Sequence, residues 1–293
     1  MKYRKLGKTG LEVSVIGVGT WQFGGEWGKN FTQLEVDQIL DRARDLGINL
    51  IDTAECYGDH LSEILIGNAI KKNRKDWIVA TKFGHSFDGH LQRGSHWTPK
   101  EVLNQLEDSL KALQTDTIDL YQFHSGDDEA FHQEELLDVL QKQVKAGKIR
   151  HLGNSVSDDF FSQVKESTKF GVEVVQVVYN RLDRKPESEV FPFAREQNLG
   201  VLARVPMASG FLSGKYKPDS KFKEDDVRAR YNKNYLKNRL KEVEAIKKNE
   251  VPAGVDMSQW ALAWCLKNPA ISAIIPGCKS ISQIESNAKA ADL

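Results

Sequence analysis

Long hydrophobic runs are missing from this chain. None reaches the about 18 apolar residues that a membrane-spanning helix needs, and the opening MKYRKLGKTG has no apolar stretch of the kind that marks a secretory signal. Cysteine is scarce as well. Cys56, Cys265 and Cys278 are odd in number and far apart, which argues against a disulfide framework and for a reducing cytoplasm. Net charge is absent, since 41 Lys and Arg balance 41 Asp and Glu. Bulk charge therefore gives no ground for nucleic acid or an acidic membrane surface as partner. Pro/Ser-rich linkers and low-complexity blocks are lacking too, so one domain over residues 1–293 is expected, although length alone would allow two. At 40% hydrophobic and 28% charged residues, the composition is that of a soluble globular enzyme with enough apolar material for a sizeable core.

What is present is an architectural repeat. Short runs rich in Val, Ile and Leu alternate with amphipathic stretches. Strands are expected at residues 15–19, 49–52, 78–82, 118–123, 151–155, 173–179, 200–205 and 271–276. Helices are expected at 34–46, 61–72, 98–113, 134–146, 158–169, 190–197, 258–267 and 282–291. Near-continuous apolar strands separated by helices imply a parallel sheet buried on both faces. Eight equal units favour closure, so the expected fold class is α/β, a (β/α)8 TIM barrel. Before the first unit, YRKLGKTGLEVS reads as a β-hairpin turning at Lys8-Thr9-Gly10 and capping the barrel floor. Helix starts carry capping chemistry: Thr98-Pro99-Lys100-Glu101 and Thr32-x-x-Glu35 have the capping-box spacing, and Ser280-x-x-Gln283 resembles it. Two connections are long: 84–97, rich in His, Phe and Gly, and 211–255, where Leu236, Leu240, Val243 and Ile246 mark one face of a further helix. Long loops after strands are where this fold builds sites and lids.

Four side chains stand where strands run out: Asp52 closing NLID and Tyr57 five residues on, Lys82 in WIVATKF, and His124 closing IDLYQFH. In a closed barrel the C-terminal strand ends converge on one pocket. An acid, a phenol, an amine and an imidazole are what proton delivery to a substrate oxygen needs. A free tyrosine, with a pKa of about 10, is a poor acid at neutral pH. A nearby ammonium stabilises the phenolate, and a carboxylate keeps that ammonium charged and in place. The familiar nucleotide motifs fail. Gly17-Val18-Gly19 lacks a third glycine and a ribose-binding acid at the required spacing, and the run from Gly210 to Lys215 is one residue too short for a P-loop. His85, His90 and His96 share a loop, but their spacing fits no helix face and no carboxylate set accompanies them, so no metal is expected. Cys56 reads as a small buried filler rather than a nucleophile. Trp260 and Trp264, four apart on a helix, read as packing.

The segments IGVGTWQFGG, NLIDTAECYGDHLSEILIG, VATKFG, SLKALQTDTIDLYQFH, KAGKIRHLGNS, VVQVVYN, RVPMASGFLSGKY and IIPGCKSISQIESN follow one another at about one per unit. Together the chain resembles the aldo-keto reductase family over essentially its whole length, in a bacterial form similar to the branch of channel β-subunits and general stress reductases. The resemblance implies an NAD(P)H-dependent oxidoreductase that reduces aldehydes and ketones to alcohols, reversibly. It implies NADPH as cofactor with NADH bound less well, a small carbonyl or alcohol substrate, a cytoplasmic location, and neither nucleic acid nor membrane as partner. Tyr57 matches the proton donor, Lys82 its partner, Asp52 the carboxylate paired with that lysine, and His124 the histidine that orients the carbonyl. Trp21, Tyr57, His85 and His124 then face substrate.

On the cofactor side, the resemblance implies Gly19, Thr20, Trp21 and Asp52 at the first strand ends, with Ser155 and Gln176 holding the nicotinamide carboxamide. Arg204 stands where many members stack an aromatic ring, and a planar guanidinium can stack too. The 205–215 loop wraps the pyrophosphate through Val205, Pro206, Met207, Ala208, Gly210, Leu212, Gly214 and Lys215. Lys279, Gln283 and Asn287 meet the adenosine end. The chain departs from the pattern where Val156 follows Ser155 in place of the common asparagine. It departs again at Gln283, where an arginine often meets the adenosine phosphate, which leaves Lys279 as the main candidate for the 2′-phosphate. Two other readings compete. One is a nucleotide-binding regulatory or sensor subunit with little turnover, since some similar relatives accompany membrane channels. The other is a Schiff-base lyase using Lys82. The intact tetrad favours the reductase, and Asp52 keeping Lys82 protonated counts against the lyase.

Overall fold

The computed structural model of the chain describes residues 1–224 and 226–293. The long segment expected after residue 211 includes Asp225, which lies outside the described residues. The chain opens with β1 (Tyr3–Lys5) and β2 (Glu12–Ser14), an antiparallel pair with Tyr3 opposite Ser14. Then come β3 (Val18–Gly19), α1 (Gln33–Asp45), β4 (Leu50–Asp52), α2 (Leu61–Ile70), β5 (Ile78–Phe83), β6 (His85–Gly89), β7 (Gln92–Ser95), α3 (Pro99–Leu113) and β8 (Ile118–His124). The second half holds α4 (Asp128–Phe131), α5 (Glu134–Lys145), β9 (Ile149–Ser155), β10 (Val172–Val178), α6 (Pro186–Glu189), α7 (Phe191–Glu196), β11 (Gly200–Arg204), α8 (Lys233–Asn249), α9 (Met257–Leu266), β12 (Ala273–Ile274) and α10 (Ile281–Lys289).

Among the described residues, eight strands form one sheet in the order β3-β4-β5-β8-β9-β10-β11-β12, each pair parallel. The two ends of that order meet. Ile16 bridges Ile274 and Gly19 bridges Gly277 in parallel sense, with Gly17 N–H donating to Ile274 O at 2.8 Å and Gly19 N–H to Pro276 O at 3.0 Å. The sheet is thus a closed ring, and no edge is left unpaired.

The ring's interior follows the two-residue alternation of strand side chains. Leu50, Ala80, Leu120, Val174, Leu202 and Ala273 pack inside with Leu6, Leu11 and Val13 of the opening hairpin, forming an apolar floor. Two residues further along the same strands stand Asp52, Lys82, Gln122, Gln176 and Arg204. Gly153 takes the corresponding place on β9. A Cβ there would come 2.8 Å from Gln122 Cγ and 3.0 Å from Leu120 Cδ1, so only glycine leaves room for those two side chains.

Outside the ring, helices pack their apolar faces on the strands. α3 starts at Thr98, which accepts from the Glu101 N–H while Glu101 reaches back to the Thr98 N–H, and Val102, Leu106, Leu110 and Leu113 are buried beneath it. The same reciprocal cap opens α1 at Thr32 and Glu35. Leu236, Leu240, Val243 and Ile246 of α8 are buried together against Phe211, Leu212 and Trp260.

Two expectations are corrected. Residues 158–169 form no α-helix; Phe161–Glu166 is a 3-10 turn instead. Phe161 and Val164 are buried three apart, which a three-residue repeat aligns. The Gln163 side chain there is spent on Asn154, Gly126 O and Asp128. Residues 84–97 are more ordered than a loop: β6 and β7 pair antiparallel, with His85 opposite Ser95.

The floor depends on the hairpin. Leu6 is fully buried, so Leu6→Ala should cost roughly 2–5 kcal/mol, the usual range for a buried leucine emptied to alanine, read as a lower urea midpoint with unchanged slope.

Candidate active site

Asp52 closes β4 and Lys82 lies near the end of β5, so both side chains enter the ring just above the apolar floor. Lys82 is 1% exposed, and an ammonium so deeply buried must have its donors satisfied. Its Nζ donates to Asp52 Oδ1 at 2.7 Å and Thr53 O at 2.6 Å, and the Tyr57 hydroxyl lies 3.4 Å away. The other Asp52 oxygen accepts from Gln176 Nε2 at 2.7 Å and Gln122 Nε2 at 3.2 Å. Burial pushes the Lys82 pKa down, but Asp52 and Tyr57 outweigh it and hold the ammonium above its ordinary value. For Tyr57, burial wins: its pKa is raised to about 12 although Lys82 pulls it down. In this state the phenol keeps its proton, with an ammonium beside its oxygen.

Tyr57 is held by a tight turn. Gly58, Asp59 and His60 all have positive φ. Gly58 meets Gly24 so closely that a Cβ on it would lie 2.5 Å from Gly24 O. That contact brings Trp21 over Tyr57, with ring centroids 6.0 Å apart and planes at 21°. The turn is tied down by His60, whose Nδ1 lies 2.5 Å from Glu63 Oε2, while the fully buried Glu63 also accepts from Thr81 Oγ1 at 2.6 Å.

His124, at the end of β8, stands edge-on to Tyr57 at 6.0 Å and to His85 at 5.0 Å. Burial lowers its pKa to about 4, against the raising influence of Glu55, so its ring is neutral at pH 7. Cys56, read from sequence as a small buried filler, has Sγ at 3.7 Å from His124 Nδ1. Burial first, then the Glu55 charge, keeps it a thiol. The loop histidines have other partners: His85 Nδ1 meets Gly94 O, and His96 lies between Glu101 and Ser86.

Above this group opens a cavity of about 640 Å³. It is lined by the expected Gly19, Thr20, Trp21, Asp52, Tyr57, His85 and His124, and by Ser155, Gln176 and Arg204. Val205, Pro206, Met207, Gly210, Lys215, Lys279, Gln283 and Asn287 line it as well. Three residues expected at the cofactor do not. Ala208 and Leu212 face the apolar cluster under α8, and Gly214 makes a left-handed turn beyond it, with φ 68°. Lys82 lies beneath the lining, in contact with Tyr57 and Asp52 of it.

The residues present fit a long polar ligand. Gln22 Oε1, Trp27 Nε1, Arg204 Nε and Asn287 Nδ2 are buried without a hydrogen-bond partner, and all four belong to lining residues; such groups call for a partner. Val205, Ser209 and Gly210 have positive φ, a backbone form that turns successive N–H groups toward an anion. Ser280 caps α10 on the Gln283 N–H, which leaves that helix start at the cavity beside Lys279. Lys279 Nζ donates to Trp27 O at 2.5 Å, and Gln283 Oε1 accepts from the Lys279 N–H at 2.7 Å.

Several contributors escaped the sequence reading. Gln122 completes the Asp52 shell, and the repeated apolar-x-polar spacing of the strands was the signal for it. Glu26, 1% exposed, accepts from Trp21 Nε1 at 2.7 Å and pairs with Arg93 of β7. Arg228 pairs with Asp226 over Trp27, its guanidinium carbon 5.7 Å from the ring. No local pattern links Glu26 to Arg93 or Arg228 to Trp27, because those partners come from separate loops.

The aldo/keto reductase family profile matches residues 15–293. The chain belongs to the aldo/keto reductase family. It is 32% identical to the Bacillus subtilis protein named uncharacterized oxidoreductase YqkF, across all of this chain and 92% of that one. It is 30% identical to a probable voltage-gated potassium channel subunit beta of Oryza sativa, again across all of this chain and 92% of that one. Among solved structures, the holo form of aldo-keto reductase AKR11C1 from Bacillus halodurans superposes with a TM-score of 0.82 at 29% identity, covering 100% of this chain and 91% of that one. This aldo-keto reductase is therefore an NAD(P)H-dependent oxidoreductase, on a family fold that uses nicotinamide cofactors. Among the described residues, no helix is long and apolar enough to cross a membrane.

Two part-buried histidines, His124 and His60, titrate in opposite senses. His124 is depressed from 6.5 to about 4, so the stability tied to its neutral form is present above about 6.5 and lost as pH falls toward 4, on the order of 3 kcal/mol. At His60, burial lowers the pKa but the Glu63 contact more than offsets it, giving a net rise; that contribution is present below about 6.5 and lost as pH climbs through the raised value. Histidine NMR titration should find the His124 midpoint near 4 and the His60 midpoint above 6.5.

Proposed function

We propose that this aldo-keto reductase reduces aldehydes and ketones to alcohols, and runs in reverse on alcohols, with NADPH as the preferred cofactor and NADH accepted less well. The observation that carries the reading is the Lys82 ammonium shared between Asp52, Thr53 O and the Tyr57 hydroxyl at the base of a polar-lined cavity. The reduced nicotinamide supplies hydride when bound. Tyr57 gives its proton to the carbonyl oxygen, and Lys82 stabilises the phenolate left behind. Asp52, held by Gln122 and Gln176, keeps Lys82 charged, which also disfavours a Schiff-base role. His124 stands across the pocket as a neutral imidazole that orients the carbonyl, with Trp21 and His85 as apolar and aromatic walls. Ser155 and Gln176 hold the carboxamide, Arg204 the nicotinamide face, the 205–210 turn the pyrophosphate, and Lys279 the 2′-phosphate.

The whole chain acts as one domain, in the cytoplasm, on small molecules. A regulatory subunit would instead bind nucleotide and turn over poorly, so turnover of NADPH against a panel of aldehydes, sugars and ketones separates the two readings.

Tyr57→Phe keeps the ring and removes the hydroxyl. It should leave NADPH affinity nearly intact and cut single-turnover reduction by roughly 10²–10⁴; near-normal turnover would remove Tyr57 from the role. Lys279→Met should weaken NADPH by about ten- to a hundredfold, the worth of one charge-assisted contact, and leave NADH almost unchanged in tryptophan-quenching titrations. Equal losses for both cofactors would mean that Lys279 serves the loop or the adenosine generally.

A further inference from the structure

Cys56 Sγ and Glu55 Oε1 each lie 3.7 Å from His124 Nδ1. For sulfur that is a long, weak hydrogen bond and for the carboxylate too far for one, and both are close to the spacing of two ligands on one metal. With metal–ligand bonds of about 2.0–2.3 Å in a tetrahedron, the ligands of a zinc ion sit about 3.4–3.6 Å apart. One ligand atom from each of the three residues falls within 4.8 Å of the others. A second observation points the same way: Glu55 is 3% exposed, yet its Oε2 has no hydrogen-bond partner. Cations nearby are already matched. Lys82 pairs with Asp52, and Arg93, which also faces Cys56, pairs with Glu26, whereas Glu55 faces a neutral imidazole. Cys56 and His124 both line the cavity, so a hydrated ion can reach them without unfolding. Sequence offered no sign of this group, since its members come from two strand ends 68 residues apart.

We propose that Glu55, Cys56 and His124 form a binding site for a borderline-soft divalent cation such as zinc, and that filling it blocks the carbonyl pocket. Thiolate, imidazole and carboxylate together suit zinc and its heavier analogue cadmium, not magnesium or calcium. On binding, the Cys56 S–H bond breaks, its proton leaves to solvent and a sulfur–metal bond forms, with no change of oxidation state, so affinity rises with pH. The fourth position faces the cavity. Blockade rests on the proposed role of His124; binding does not.

Cadmium chloride titrated into the unaltered, cofactor-free protein should raise a thiolate charge-transfer band saturating at one ion per chain. The band should vanish in Cys56→Ser, and Glu55→Gln should weaken zinc by about tenfold or more, in variants checked for unchanged melting. X-ray absorption at the zinc edge of the unaltered protein should show one sulfur among nitrogen and oxygen ligands, a readout that needs no variant to fold. Zinc chloride should inhibit competitively against the carbonyl compound, and EDTA should restore turnover, while magnesium has no effect. No band, a band that persists in Cys56→Ser, or a zinc shell without sulfur would overturn the site. Zinc bound there without loss of turnover would overturn the blockade. If the reductase reading itself failed, the band and the sulfur shell would still be seen.

Discussion

A single ammonium is buried in the middle of this barrel, and much of the upper ring is arranged to keep it charged. Lys82 at 1% exposure has left bulk water behind, a desolvation that geometry must repay. Asp52 supplies the countercharge, Thr53 O a second acceptor, and Gln122 and Gln176 turn their amides toward the remaining carboxylate oxygen. Even Gly153 belongs to this arrangement, since a side chain there would collide with Gln122. Removing one partner would leave a buried charge uncompensated, which costs far more than the pair is worth when whole.

The same ammonium gives Tyr57 its character. Burial alone makes phenolate costly, and the raised pKa records that cost. The phenol thus stays loaded with its proton across the physiological range, while the cation 3.4 Å from its oxygen lowers the penalty once the proton leaves. Placement comes from backbone as much as from charge: the Gly24–Gly58 contact and the His60–Glu63 tether fix the turn on which Tyr57 rides.

The barrel was legible because strand runs, helix caps and periodic apolar faces are local signals, as at Thr98–Glu101 and along Leu236, Leu240, Val243 and Ile246. The four strand-end residues were legible for a related reason, since topology alone brings strand ends together. What stayed hidden was pairwise and non-local. Glu26 with Arg93, Arg228 with Trp27, and Cys56 with His124 join separate segments whose mutual approach no local pattern encodes. The 158–169 segment misled because its apolar residues suit a helix of either pitch, and the contacts of buried Gln163 decide between them. At 205–215, resemblance marked the whole run, but only Val205, Pro206, Met207, Ser209, Gly210 and Lys215 line the cavity; Ala208 and Leu212 serve the packing beneath α8.

The seam of the ring has a further consequence. β3 and β12 are two residues long, and the barrel closes through single bridges from Ile16 to Ile274 and Gly19 to Gly277, the thinnest stitching in the sheet. Gly19, Ile275, Pro276 and Gly277 of that seam also line the cavity. A ligand lying along this wall would touch both ends of the ring at once. The join of the hoop and the wall of its pocket are one and the same surface.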